Sequence, residues 1–60
     1  MNAKGFLLDA IDKNVQNTYA MLRTVQSFNL DCSDKALLKK IKTTLEACIV
    51  EIDKMLKEEK

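Results

Sequence analysis

Apolar residues recur along the chain in two stretches that share one spacing. From Leu38 to Met55 the separations are 3, 4, 3, 4 and 3 residues, and from Leu8 to Val25 they follow in the same order. This alternation places side chains along one side of an α-helix. The positions, here called the seam, are Leu8, Ile11, Val15, Thr18, Leu22 and Val25, followed by Leu38, Ile41, Leu45, Cys48, Ile52 and Met55.

The two halves of the seam match each other in one antiparallel register. If the chain reverses near residue 31, facing residues have numbers that add to a constant, and Leu8 with Met55 and Val25 with Leu38 both give 63. The other four layers give the same value. The pattern therefore predicts an all-α fold in one domain over residues 1–60. We expect an antiparallel helical hairpin with a helix over about 3–28, a turn over 29–33 and a helix over about 34–57.

Polar residues mark where each predicted helix begins. Asn2 is a suitable N-cap for the first helix, because its side chain can accept a bond from a free amide of the first turn. For the second helix we favour Ser33 as the N-cap, since Asp34 then falls at the first helical position and suits the helix dipole. The alternative is Asp31 as the cap, with Asp34 three residues on.

The predicted hairpin is too small to bury all of its own apolar side chains. A compact chain of this length buries only about 60% of its unfolded surface, and a lone pair of helices buries less. We therefore expect a homodimer that forms a four-helix bundle, or a partner helix, at the apolar positions flanking the seam. These positions are Leu7, Tyr19, Met21, Phe28, Leu37, Ile49, Val50 and Leu56. The alternative is that they only widen the contact within one hairpin, and Val50 faces away from the first helix.

Charge is distributed unevenly, although the net charge is only +1. Residues 20–42 carry five positive and two negative charges, whereas residues 43–60 carry three positive and five negative. The basic residues near the turn are Arg23, Lys35, Lys39, Lys40 and Lys42. They form a candidate patch for an acidic protein surface or a nucleic-acid backbone. We favour an ordinary solvated helix face, because no aromatic residue interleaves with the lysines.

The residue types needed for common catalytic and metal sites are missing. The chain has no histidine, a single glycine and no paired cysteines at metal-binding spacing. A general base of the usual kind, a phosphate-cradling loop and a zinc site are therefore not expected. The sequence predicts that the chain is not an enzyme and binds no cofactor, metal or small-molecule substrate.

The cysteines and the apolar runs indicate an intracellular protein. We expect Cys32 to be a thiol in the turn and Cys48 a small core residue, too far apart along the second helix for a bridge. The longest uninterrupted apolar run, Ala47–Val50, is far shorter than the roughly 18 residues of a membrane span. The sequence therefore predicts no membrane contact and a cytoplasmic location.

Thr18 is the one polar residue of the first helix's seam. Its hydroxyl could set the helix register, but we expect it to bond the carbonyl one turn back.

Three functional hypotheses follow. The leading one is a small regulator or inhibitor that homodimerises and acts on a larger protein through an apolar helical face. The second is a helical bundle that binds RNA or DNA through the basic residues near the turn. The third is an obligate subunit, or a chaperone-like cover for a single partner helix.

Overall fold

The computed structural model describes residues 2–58, which form two α-helices and no strand. Helix α1 spans Ala3–Val25 and helix α2 spans Cys32–Glu58, with residues 26–31 connecting them. The prediction of an all-α chain is confirmed. Both inner boundaries lie a few residues earlier than predicted, and each shift has a local cause.

The start of α1 confirms the predicted cap. The side chain of Asn2 accepts a hydrogen bond from the backbone N–H of Gly5 at 2.6 Å. The Asn2 carbonyl accepts the first helical bond, from the N–H of Phe6 at 3.1 Å. One short polar residue thus satisfies a free amide of the first turn and fixes where the helix begins.

Helix α1 ends at Val25, three residues before the predicted end at about Phe28. The N–H of Ser27 donates to the carbonyl of Thr24 at 3.1 Å, and the N–H of Phe28 donates to that of Val25 at 2.9 Å. These bonds join residues three apart, the tighter 3₁₀ pattern in which helices often finish. The hydroxyl of Ser27 also donates to the Thr24 carbonyl, at 2.8 Å. Side-chain and backbone donors together occupy the last carbonyls, so α1 closes at Val25.

The start of α2 shows that the preference for Ser33 as the cap was wrong and that the alternative, Asp31, is correct. The N–H of Asp34 donates to Oδ1 of Asp31 at 2.9 Å. In return the N–H of Asp31 donates to Oδ2 of Asp34 at 3.1 Å. This reciprocal pair satisfies two backbone donors, whereas a serine cap satisfies one. Cys32 is consequently the first residue of α2 and not a residue of the turn.

The two helices fold back on each other as an open hairpin. Placed end to end they would extend about 75 Å, but the molecule measures 45 × 22 × 14 Å. Tightly packed helices have axes about 8–10 Å apart, which brings facing Cα atoms well within 8 Å. Within residues 2–58, no Cα atoms 12 or more residues apart come within 8 Å. The helices therefore lie side by side without close packing.

Burial is graded along the hairpin, and none of residues 2–58 is fully buried. The partly buried residues are Ala10, Thr18, Leu22, Val25, Leu38, Ile41 and Leu45. Apart from Ala10, these are the three layers of the predicted register that lie nearest the turn. At the open end Val15 and Met55 remain 53% and 56% exposed. Cys48 is exposed as well, so its prediction as a core residue was wrong for the single chain.

Thr18 lies within the partly buried half of the seam, and its hydroxyl needs no partner from α2. It donates to the carbonyl of Asn14, one turn back, at 2.9 Å. The expected local bond is confirmed. Because that donor is satisfied inside α1, the threonine can face an apolar helix at little cost.

The capping pair leads to a prediction about stability. We expect Asp31→Ala to lower the free energy of unfolding by about 1 kcal/mol, because it removes the acceptor for the N–H of Asp34. Ser33→Ala should change it by less than about 0.5 kcal/mol. Urea unfolding followed by circular dichroism, at one fixed protein concentration, measures both. Equal losses for the two variants would contradict the assignment of Asp31 as the cap.

Candidate interaction surface

The hairpin encloses an apolar groove beside the turn. Two adjoining cavities of about 400 and 420 Å³ lie between the helices. Both are lined by Thr18, Leu37 and Ile41, so they form one continuous depression, here called the tip groove. Its walls are the inner sides of α1 and α2, and Phe28 and Leu30 of the connection close its end.

The tip groove brings together three of the predicted interface residues. Met21 of α1, Phe28 of the connection and Leu37 of α2 all line it. They are 52%, 64% and 57% exposed, so the single hairpin leaves each of them largely in water. Leu7 lies on the same side of α1 as Met21, because a separation of about 14 positions makes about four helical turns. These residues form a groove-side strip that is apolar at both ends, with Asn14 and Asn17 between Leu7 and Met21.

The other predicted interface residues lie elsewhere on the hairpin. Ile49 and Leu56 lie on the flank of α2 away from the tip groove, and Tyr19 lies on the corresponding flank of α1. Val50 is about 180° around α2 from Ile41, which lines the groove. The predicted interface thus divides into a groove-side strip, an opposite flank and one residue on the back of α2.

The predicted basic patch is divided in the same way. Lys35, Lys39 and Lys42 fall within about 60° of one another on α2 and form one stripe. Lys40 lies on a different side and borders the tip groove. This separation follows from the rotation of about 100° per residue in an α-helix. It could have been predicted from the sequence, but the four lysines lie close together along the chain and suggested a single patch.

Arg23 is engaged within α1. Its guanidinium carbon lies 6.0 Å from the centre of the Tyr19 ring, and Nη1 donates to the tyrosine hydroxyl at 3.4 Å. This cation–π contact lies one helical turn apart on an exposed surface, where such contacts contribute about 0.5–1 kcal/mol. Arg23 and Tyr19 therefore present a joint surface, aromatic and positively charged together.

The exposed area shows how incomplete the single hairpin is. A compact protein of 6.8 kDa would expose about 3,950 Å² of surface. This chain exposes 5,852 Å², an excess of about 1,900 Å² over that compact value. It buries only about 40% of its unfolded surface, well short of the 60% expected for a compact chain of this size.

The described residues contain no assembled chemical site. Within residues 2–58, no three histidine, cysteine, aspartate or glutamate side chains come together as metal ligands. In the same part of the chain, neither helix is long and apolar enough to cross a membrane. No protein family, curated protein or solved structure matches the chain. The exposed apolar surface is thus the main candidate for a functional site in this part of the chain.

Proposed function

We propose that this chain is a small non-enzymatic protein–protein interaction module. It acts as a homodimer through its apolar helical face and regulates or inhibits a larger protein. The observation that carries the proposal is the excess exposed area of about 1,900 Å² per chain. We place the protein in the cytoplasm, where free thiols such as those of Cys32 and Cys48 remain reduced.

The excess area matches the needs of a permanent dimer. Obligate homodimers bury about 2,000–5,000 Å² in total, and removing the excess from two chains would bury about 3,800 Å². Crystal-type and weak encounters bury far less. A second hairpin packed over the seam would complete a four-helix bundle, in which the exposed residues of the open end, such as Ile11 and Met55, become core.

The groove-side strip is the part of the surface we assign to the dimer. It contains Leu7, Met21, Phe28 and Leu37, which border or continue the tip groove. Val50 is left out of this interface, because a partner on the groove side cannot also reach the back of α2.

The opposite flank then stays outside the dimer and is available to the larger protein. Its apolar residues Tyr19, Ile49 and Leu56 are 62%, 57% and 64% exposed. A flank that combines these side chains with Arg23 resembles a typical interface surface, in which aromatic residues and arginine are enriched.

A matched pair of variants tests the dimer interface. Leu37 and Val50 both lie on α2 and are exposed to nearly the same extent, 57% and 53%. Lysine at either position should therefore cost the single hairpin about the same. We expect Leu37→Lys to shift the protein toward monomer and to lower its helicity, because a charge without an opposite partner is costly in an apolar interface. Val50→Lys should leave the mass and the helicity unchanged.

Light scattering and circular dichroism over a range of concentrations measure both properties. The loss of helicity caused by Leu37→Lys should be partly reversed at high concentration, since mass action favours the dimer. A wild-type monomer at all concentrations, or a dimer unaffected by Leu37→Lys, would overturn the proposal.

The two thiols provide a second test, because both are exposed in the single hairpin. Cys48 lies on the seam, whereas Cys32 lies at the outer start of α2. We expect a Cys32→Ser variant, which retains Cys48, to react with a thiol reagent about tenfold more slowly than Cys48→Ser, since access then requires opening of the dimer. Similar rates for the two variants would show that the seam is not covered.

Nucleic-acid binding is the second candidate function, and the alignment of Lys35, Lys39 and Lys42 on one stripe is the observation that favours it. If the stripe neutralises phosphates, retention on immobilised RNA should fall with salt, with a logarithmic slope of about 0.7 for each phosphate neutralised. Lys39→Glu should then reduce the slope, and Lys13→Glu on α1 serves as the control. A slope near zero that neither variant alters would rule this function out.

A further inference from the structure

The edge of α2 beside the tip groove carries charges of both signs. Leu37, Lys40 and Thr44 line the groove and so fix which side of the helix this is. Helical geometry places the following residues on the same side, within about 100°. They are Ser33, Leu37, Lys40, Thr44, Ala47, Glu51, Lys54 and Glu58. We call this row the groove edge of α2; its basic residue nearest the turn is Lys40, and its acidic residues lie toward the open end.

The groove edge is complementary to itself when reversed. In an antiparallel pair, facing residues have numbers that add to a constant. Lys40 with Glu51, Thr44 with Ala47, Ser33 with Glu58, and Leu37 with Lys54 all give 91, and the first of these pairs joins opposite charges. We propose that a second copy docks on the groove side with its α2 antiparallel to this α2, in the register that adds to 91. This inference rests on the homodimer proposed above and specifies its arrangement.

Electrostatics favour this register. Among residues 2–58, the Lys40 ammonium has no carboxylate within ion-pair distance. Glu51 contacts only Lys54, at 3.4 Å, and both side chains are about two-thirds exposed, 67% and 65%, so this contact contributes little. In the dimer, Lys40 of each copy faces Glu51 of the other. Two equivalent opposite-charge contacts result, as twofold symmetry requires.

The rival arrangement, with both turns at the same end, lacks this match. It would lay α2 of one copy over α1 of the other. The groove side of α1 carries no charge, because its residues are Ala3, Leu7, Ala10, Asn14, Asn17, Met21 and Thr24. Lys40, Glu51 and Glu58 would then face uncharged side chains. Only the antiparallel arrangement pairs the charged edges with each other and the uncharged edges with each other.

The same register also determines which residues of the uncharged edges face each other. Within one hairpin, facing residues of α1 and α2 have numbers that add to 63. In the proposed dimer, facing residues of the two α2 helices have numbers that add to 91. Facing residues of the two α1 helices must therefore have numbers that add to 35. Asn14 then faces Met21 of the second copy, and Leu7 lies beside the end of α1 of that copy, close to the connection that carries Phe28. Leu7 and Phe28 are 58% and 64% exposed in the single hairpin, so the same register that pairs the charges also covers these apolar side chains.

The centre of the proposed contact suits close approach of two helices. Thr44 and Ala47 meet there, and small side chains let helix axes lie at the short end of the usual 8–10 Å range. The hydroxyl of Thr44 already donates to the carbonyl of Lys40 at 3.2 Å. Covering this threonine would therefore leave no donor unsatisfied.

Charge reversal tests the register. We expect Lys40→Glu and Glu51→Lys each to raise the dimer dissociation constant at least about tenfold, because each puts like charges opposite one another twice per dimer. The double variant should return to within about threefold of the wild type. Lys39→Glu is the matched control: it is the neighbouring lysine, on the outer stripe, and should leave the constant unchanged. Sedimentation equilibrium at low ionic strength measures all four.

A distance measurement tests the orientation. In a Cys48→Ala variant, a spin label on Cys32 reports the separation of the two turns. The antiparallel register predicts about 40 Å along the helix axis, since it sets the two copies of Cys32 about 27 helical positions apart. Turns at the same end would give less than about 25 Å.

The two proposals fail in different ways. A wild-type monomer overturns the homodimer and this inference together. A dimer with a short label distance, or one that the double variant does not restore, overturns only the antiparallel register.

Discussion

The small area that two helices can cover limits how much of this chain is buried, and the other features of the structure depend on it. Near the turn, where residues 26–31 join the helices, Leu22 and Ile41 are partly buried. Farther from the turn, residues such as Val15 stay in water. Two helices offer each other only one side each, so apolar residues beyond that side stay exposed in the single chain.

Several polar groups in this chain set the ends of the helices. Asn2 and the pair of Asp31 with Asp34 begin the helices, and Ser27 helps to end the first. The ion pair of Asp9 with Lys13, at 2.6 Å, is exposed and lies within one helix. It contributes little to stability. The charges on the groove edge of α2 are therefore available for recognition between chains.

The fold could be predicted because helical periodicity is a local property: the repeat from Leu38 to Met55 identifies α2 without knowledge of any contact. Its start was misjudged because Ser33 and Asp31 are both good caps, and the choice depends on a reciprocal bond that spacing alone does not rank. The exposure of Cys48 could not be predicted, since it depends on how far the helices separate. The division of the basic patch at Lys40 could have been read from helical rotation, but closeness in sequence suggested one cluster.

The graded burial along the hairpin has a consequence for assembly. In the proposed antiparallel dimer, the partly buried half of each hairpin lies against the exposed half of the other. Each chain would thus cover the half that its neighbour leaves exposed. Completion of the tertiary structure and encounter between chains would then be a single kinetic event, whose rate depends on the square of the protein concentration and which a lone chain cannot finish.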